Sequence, residues 1–94
     1  MLDPRRWSAP VGRVDSLSAR ERRVLVLLGI GESNRSIARR LDISERTVKA
    51  HITRILATLG VESRLQAGLV ACAWARARAA ARRPESDPAG TRAA

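Results

Sequence analysis

Apolar residues recur at intervals of three and four along this 94-residue chain, and no segment shows a convincing strand pattern. Such a spacing places them on one side of a helix. Four of these segments begin beside a serine that can cap a helix: Ser18, Ser33, Ser44 and Ser63. The first and last also carry Glu21 and Gln66 three residues after the serine, as in a capping box. We therefore predict an all-α fold with four helices.

Proline and glycine positions divide the chain into one domain and two tails. Residues 1–16 contain two prolines and no periodicity, which predicts an N-terminal arm or linker. Residues 17–83 hold the four helices and form the domain. Residues 84–94 are polar and interrupted by proline and glycine, so we expect a disordered tail. The short chain predicts a single small core.

The apolar stripes indicate which face of each helix is buried. In the first helix the stripe consists of Val24, Leu27 and Leu28, and in the second of Ile37, Ala38 and Leu41. The fourth helix has a stripe of Leu65, Leu69, Cys72 and Ala73. We expect the first three of these to serve the core.

The second and third helices are separated by a break of three residues, Asp42-Ile43-Ser44, which is typical of a helix-turn-helix. The third helix is predicted from about Glu45 to Leu59 and has two distinct sides. Its apolar stripe is Val48, Ile52, Ile55 and Leu59, within roughly 60° of arc. The opposite side carries small and basic residues.

The charge balance favours a nucleic-acid partner. The formal net charge is +9, and a strongly basic small domain is typical of nucleic-acid binders. Aromatic residues make up only 2% of the chain, whereas proteins that bind single strands usually stack bases on aromatic rings. Double-stranded DNA read in its groove requires no such rings, so duplex DNA is the expected partner.

The polar side of the third helix is a candidate recognition surface, since the major groove of about 12 Å admits a helix. Lys49 can reach guanine or a phosphate, and the methyl groups of Ala50 and Thr53 can contact thymine. Flanking residues suit phosphate contacts, which position the helix without reading sequence. These residues are Arg46, Thr47, His51 and Arg54.

Five short runs occur in a fixed order, and together they are highly specific. They are Leu17-Ser18-Ala19-Arg20-Glu21, Gly31-Glu32-Ser33-Asn34-Arg35 with Ile37-Ala38, Leu41 through His51, Leu59-Gly60-Val61, and Ser63-Arg64-Leu65-Gln66-Ala67. On these runs, residues 17–71 resemble the LuxR/FixJ-type (GerE-like) helix-turn-helix of bacterial transcription regulators.

The resemblance implies a four-helix domain that dimerises through its last helix and regulates promoters. It implies base contacts from Lys49, Ala50 and Thr53, and phosphate contacts from Asn34, Thr47, His51 and Arg64. Two positions depart from the family pattern. Ser36 stands where glutamate is common, which would loosen a contact between helices, and Thr58 stands where lysine is common, which would remove a phosphate contact.

Partners and location follow from the same interpretation. We expect a homodimer on an inverted repeat, joined near Ala73, Arg76 and Ala77 of the fourth helix, with RNA polymerase as a candidate further partner. A single cysteine and the lack of any signal-peptide-like or membrane-spanning apolar run favour the bacterial cytoplasm, with nucleoid association when bound. One histidine and one cysteine do not suffice for a metal site, and no cofactor is expected.

Three alternatives remain at this stage. The first is a protein-interaction module that keeps the fold and pairs through its fourth helix. The second is the promoter-reading fourth region of a sigma factor, against which the run Thr47-Val48-Lys49-Ala50-His51 argues. The third is an enzyme, which the sequence disfavours because it contains no phosphate loop, metal cluster or paired acids.

Overall fold

A computed structural model of the chain describes residues 8–82, which are almost entirely helical. The α-helices are α1 (Ser8–Arg13), α2 (Ala19–Gly29), α3 (Asn34–Leu41), α4 (Glu45–Leu59) and α5 (Arg64–Arg82). A short 3-10 helix, Val14–Ser16, follows α1. The described residues contain no strand, so the predicted all-α class is confirmed.

Serine side chains cap the four longer helices as the sequence predicted. The Ser18 hydroxyl accepts a hydrogen bond from the Glu21 backbone N–H at 3.1 Å, and the Glu21 carboxylate accepts one from the Ser18 N–H. Ser33 and Ser44 cap α3 and α4 in the same way, through the backbone N–H three residues later. These bonds satisfy N–H groups that have no partner within the helix, so each start is fixed locally.

The turn between α3 and α4 is short because Asp42 takes a left-handed conformation, with φ 57° and ψ 49°. Aspartate tolerates this region better than most residues. The Ile43 N–H then donates to the Ala38 carbonyl at 3.0 Å, which ends α3. The next helix starts two residues later, so α3 and α4 form a helix-turn-helix.

Residues 8–16 of the segment expected as an arm or linker are helical and pack against the domain. Val14 is completely buried in the core, and Val11 packs against its edge. The Arg13 guanidinium donates to the Leu59 carbonyl at the end of α4, at 3.1 Å. A six-residue helix is too short to show a periodic pattern in the sequence. The tail expected at 84–94 lies outside the described residues.

A single hydrophobic core contains buried residues from every helix except α1, which contacts it through the partly buried Val11. The stripe of α4 is buried as predicted, with Val48, Ile55 and Leu59 fully inaccessible to solvent. Val24 and Leu28 of α2 are buried too, whereas Leu27 is only partly buried and Leu25 is fully enclosed instead. This core holds α4 by one side and leaves its other side exposed.

The prediction that Leu65, Leu69 and Cys72 of α5 serve the core is wrong. Leu65 is 72% exposed, Cys72 is exposed, and Leu69 is half-buried. The buried residues are instead the smaller Ala67, Val70 and Ala71.

The reason is the close crossing of α2 and α5, where a Cβ added at Gly29 would come within 2.9 Å of the Ala71 Cβ. Only small residues fit at such a contact, so the larger leucines face outward. No single helix within residues 8–82 is long and apolar enough to cross a membrane; α4 and α5 meet that criterion only as a pair bent by 67°.

Candidate nucleic-acid interface

The exposed side of α4 lies opposite its buried stripe and carries the residues expected to read DNA. Lys49, Ala50 and Thr53 are all exposed and fall on one side of the helix. The Thr53 hydroxyl donates to the Lys49 carbonyl at 3.1 Å. Because its hydroxyl is bonded to its own helix, Thr53 offers its methyl group to a ligand. This side therefore combines one cation with two small apolar contacts.

The first turn of α4 is held by a hydroxyl pair. Ser44 accepts from the Thr47 N–H at 3.0 Å and donates to the Thr47 hydroxyl at 2.9 Å. Thr47 and Arg46 are exposed at this end, and His51 is half-buried one turn later. The unpaired N–H groups of a helix start favour negative charge, so this end is suited to an anion.

Arg54, expected to contact phosphate, is linked to α2 through Glu21. Its Nε lies 3.9 Å from the Glu21 Oε2, and the side chains are 75% and 15% exposed. A pair this exposed adds little to stability. Its effect is to orient the guanidinium at the edge of the α4 surface while the same glutamate completes the cap of α2.

Arg64 and Asn34 are 30 residues apart in sequence and meet where α3 and α5 begin. Arg64 Nη1 donates to the Asn34 Oδ1, and Nη2 donates to the Glu32 carbonyl at 3.0 Å. Both were expected to contact phosphate from the family resemblance. The structure brings these two together at the start of α3 and does not join them by a hydrogen bond to α4.

Sequence reasoning missed a polar cluster centred on Glu32. The Ser36 hydroxyl donates to the Glu32 carboxylate, and the Arg40 Nε donates to it at 3.0 Å. The hydrogen bond from Ser36 and then that from Arg40 lower the pKa of Glu32 below its usual value of 4.5. The spacing of four residues between Glu32, Ser36 and Arg40 was the available signal. Ser36 therefore bonds within its own segment.

The residues expected at a dimer interface lie on or beside the outward face of α5. Ala73 is half-buried, and Arg76 and Ala77 are exposed. At about 100° per residue, Leu65, Leu69, Cys72 and Arg76 share one side of the helix, and Ala73 flanks it. This outward face of α5 is thus apolar over its first half. Within residues 8–82 no group of three His, Cys, Asp or Glu side chains could hold a metal ion.

Comparison with known proteins agrees with this geometry. The family model described as "Bacterial regulatory proteins, luxR family" matches residues 15–71. No solved structure matched the chain significantly.

Several curated proteins are similar to the same region. The nitrate/nitrite response regulator protein NarL of Escherichia coli is 45% identical over 56 residues, which cover 60% of this chain and 26% of NarL. The DNA-binding transcriptional activator DevR/DosR of Mycobacterium tuberculosis is 42% identical over 65 residues, covering 69% of this chain and 30% of that protein. YhcZ of Bacillus subtilis, an uncharacterized transcriptional regulatory protein, is 49% identical over 55 residues, which cover 58% of this chain and 26% of YhcZ.

The chain spans under a third of the length of these relatives. The family model, however, covers more than half of the chain, including the whole helix-turn-helix and the start of α5. The chain belongs to the luxR family of bacterial regulatory proteins.

Proposed function

We propose that this chain is a transcription regulator that binds double-stranded DNA sequence-specifically, with α4 in the major groove. The observation that carries the proposal is the two-sided character of α4. One side is fully enclosed by the core, and the other exposes Lys49, Ala50 and Thr53. A helix held in this way can enter a groove without losing its packing.

Lys49, Ala50 and Thr53 are the proposed base contacts. A lysine can donate to guanine O6 and N7, and small side chains let the helix approach the base edges closely. The bonded hydroxyl of Thr53 supports a methyl contact with thymine rather than a hydrogen bond.

Phosphate contacts are proposed for residues on three helices around this surface. They are Asn34, Arg46, Thr47, His51, Arg54 and Arg64. The hydrogen bond between Asn34 and Arg64 supports a joint role, because it orients both groups before DNA arrives. The exposure of Arg46, Thr47 and Arg54 supports access by the backbone of the duplex.

A homodimer on an inverted repeat is proposed because one helix reads too few base pairs to select a promoter. Ala73, Arg76 and Ala77 are the proposed contacts, and the outward face of α5 extends them with Leu65 and Leu69. The small area and the like charges of the two Arg76 side chains favour weak association in solution and firm association on DNA. Such a dimer would act in the cytoplasm, at the nucleoid, with RNA polymerase as a partner.

The proposal is tested by selecting bound sequences from random DNA and then titrating the selected duplex with the protein, followed by fluorescence anisotropy. We expect an inverted repeat, and an affinity that falls with a slope of about −0.9 per neutralised phosphate in log–log salt plots. With roughly four to six phosphate contacts per half-site, affinity should drop by orders of magnitude between low and moderate salt.

A shuffled duplex of equal length is the control, and it should bind weakly with a similar salt response. A flat salt response on the selected duplex would contradict the phosphate contacts. Equal affinity for both duplexes would favour the interaction-module alternative, in which the outward face of α5 is the functional surface.

A further inference from the structure

A groove of about 490 Å³ lies between α2, the end of α3 and the middle of α5. Its floor is apolar, formed by Val26, Leu27 and Trp74. Three arginines line its rim: Arg22 and Arg23 lie on α2, and Arg40 is already paired with the Glu32 carboxylate. None of the residues that line it belongs to α4. We refer to this feature as the arginine-rimmed groove.

The floor of the groove is accessible to a ligand. Val26 is 42% exposed, so part of its apolar surface is open to solvent. Trp74 is half-buried and rests against the core with one part of its surface. The Arg78 guanidinium sits 5.0 Å from the centre of the Trp74 ring, within the range of a cation–π contact. A fourth cation therefore borders the apolar floor.

We propose that the arginine-rimmed groove binds an acidic segment of a partner protein, with one apolar side chain between Val26 and Trp74 and carboxylates on Arg22 and Arg23. Guanidinium groups pair with carboxylates through two parallel hydrogen bonds, which gives both affinity and orientation. Tryptophan and arginine beside a pocket are also the residues that most often dominate protein–protein binding energy. The proposal goes beyond DNA binding and does not depend on it.

Two other occupants fit the groove less well. A DNA backbone supplies negative charge but no apolar group to cover Val26 and Trp74. A second copy of this chain carries a net charge of +9, so it would bring repulsion to a surface that already holds arginines. An acidic segment with one apolar side chain supplies carboxylates for the arginines of the rim and an apolar group that covers the floor.

The probe is a synthetic helical peptide with leucines on one side and glutamates around them, titrated into the 94-residue chain labelled with ¹⁵N. We expect the largest amide shifts at Val26 and Leu27 and a shift of the Trp74 indole N–H, assigned with a Trp74→Phe variant. Two matched peptides, one with glutamine for glutamate and one with alanine for leucine, should each bind at least about tenfold more weakly.

Variants separate the groove from general charge effects. Arg23→Glu should weaken peptide binding by at least about tenfold, because it replaces a charge-assisted hydrogen bond with repulsion. Arg39→Glu makes the same charge change on an exposed residue outside the groove and should stay within about twofold of the unmodified chain. Both variants should lower duplex DNA affinity equally.

Several results would overturn the proposal. Peptide shifts outside the groove, or equal losses for Arg23→Glu and Arg39→Glu, would mean that the peptide follows net charge alone. A loss of DNA affinity that is larger for Arg23→Glu than for Arg39→Glu would assign the groove to phosphate contacts instead. The peptide outcomes are independent of whether α4 reads DNA.

Discussion

Gly60, at the end of α4, offers a quantitative test of how the N-terminal segment supports this helix. Its φ is +73°, and a Cβ added there would lie 2.5 Å from the Arg13 Nη1. That guanidinium donates to the Leu59 carbonyl. In Gly60→Ala the Arg13 side chain must move away, so the variant combines a backbone cost with the loss of a hydrogen bond.

The two contributions can be separated with Gly31, which has a φ of +87° and no atom within 4 Å of an added Cβ. Gly31→Ala therefore carries the left-handed backbone cost alone, about 1 kcal/mol. The displaced hydrogen bond is partly exposed, so it adds about 1 kcal/mol more in Gly60→Ala. We expect the free energy of unfolding to fall by about 2 kcal/mol in Gly60→Ala.

The measurement is urea unfolding followed by far-ultraviolet circular dichroism, with linear extrapolation to water. The decisive comparison adds Arg13→Ala. In that background Gly60→Ala should cost only about 1 kcal/mol, a coupling of about 1 kcal/mol between the two sites. Equal losses for the two glycine variants, or an unchanged cost of Gly60→Ala without Arg13, would refute this account of the contact.

Three further predictions concern DNA reading, assembly and pH. Lys49→Ala should cost about 1–3 kcal/mol on the selected duplex and relax preference at one base pair, whereas Arg54→Ala should weaken all duplexes alike. A uniform loss for Lys49→Ala in the same anisotropy titration would make it a phosphate contact. Ala73→Glu should abolish the two-to-one complex with a palindromic duplex in analytical ultracentrifugation, and Leu65→Asp should weaken it; a palindrome fully bound by either variant would exclude this surface. The pKa of Glu32 is lowered on folding, so its contribution to stability is present above pH 4.5 and is lost as the pH falls through the folded value. Glu32→Gln should therefore unfold more easily than the unmodified chain at neutral pH and about equally at strongly acidic pH, and a difference independent of pH would contradict this.

The buried face of α4 was predictable because large apolar side chains fill the core there. Its stripe consists of Val48, Ile52, Ile55 and Leu59, all bulky and all buried, so periodicity and burial coincide. The serine caps were predictable for a related reason, since each cap bond joins residues only three apart. Hydrogen bonds between residues so close in the chain can be predicted from the sequence alone.

The buried face of α5 was not predictable in the same way, because its close packing against α2 requires small side chains. Gly68 lies against the α2 backbone, with an added Cβ 3.5 Å from the Leu28 carbonyl oxygen, so the core favours Ala67 and Ala71 over Leu65. Hydrophobicity alone ranks these residues in the opposite order. The expected contact between Arg64 and phosphate came from the resemblance, and its bond to Asn34 depends on tertiary structure. Base and phosphate assignments therefore stay predictions.

The bond between Arg64 and Asn34 has a consequence for how such regulators diversify. Arg64 is the first residue of α5, and its guanidinium is held by groups at the start of α3. In a dimer joined through α5, the separation of the two reading helices would be a property of the folded domain itself. The relatives join a region like this one to other sequence that makes up most of their length. In that proposed dimer, the sequence outside this region can differ between relatives while the separation of the two α4 helices stays the same.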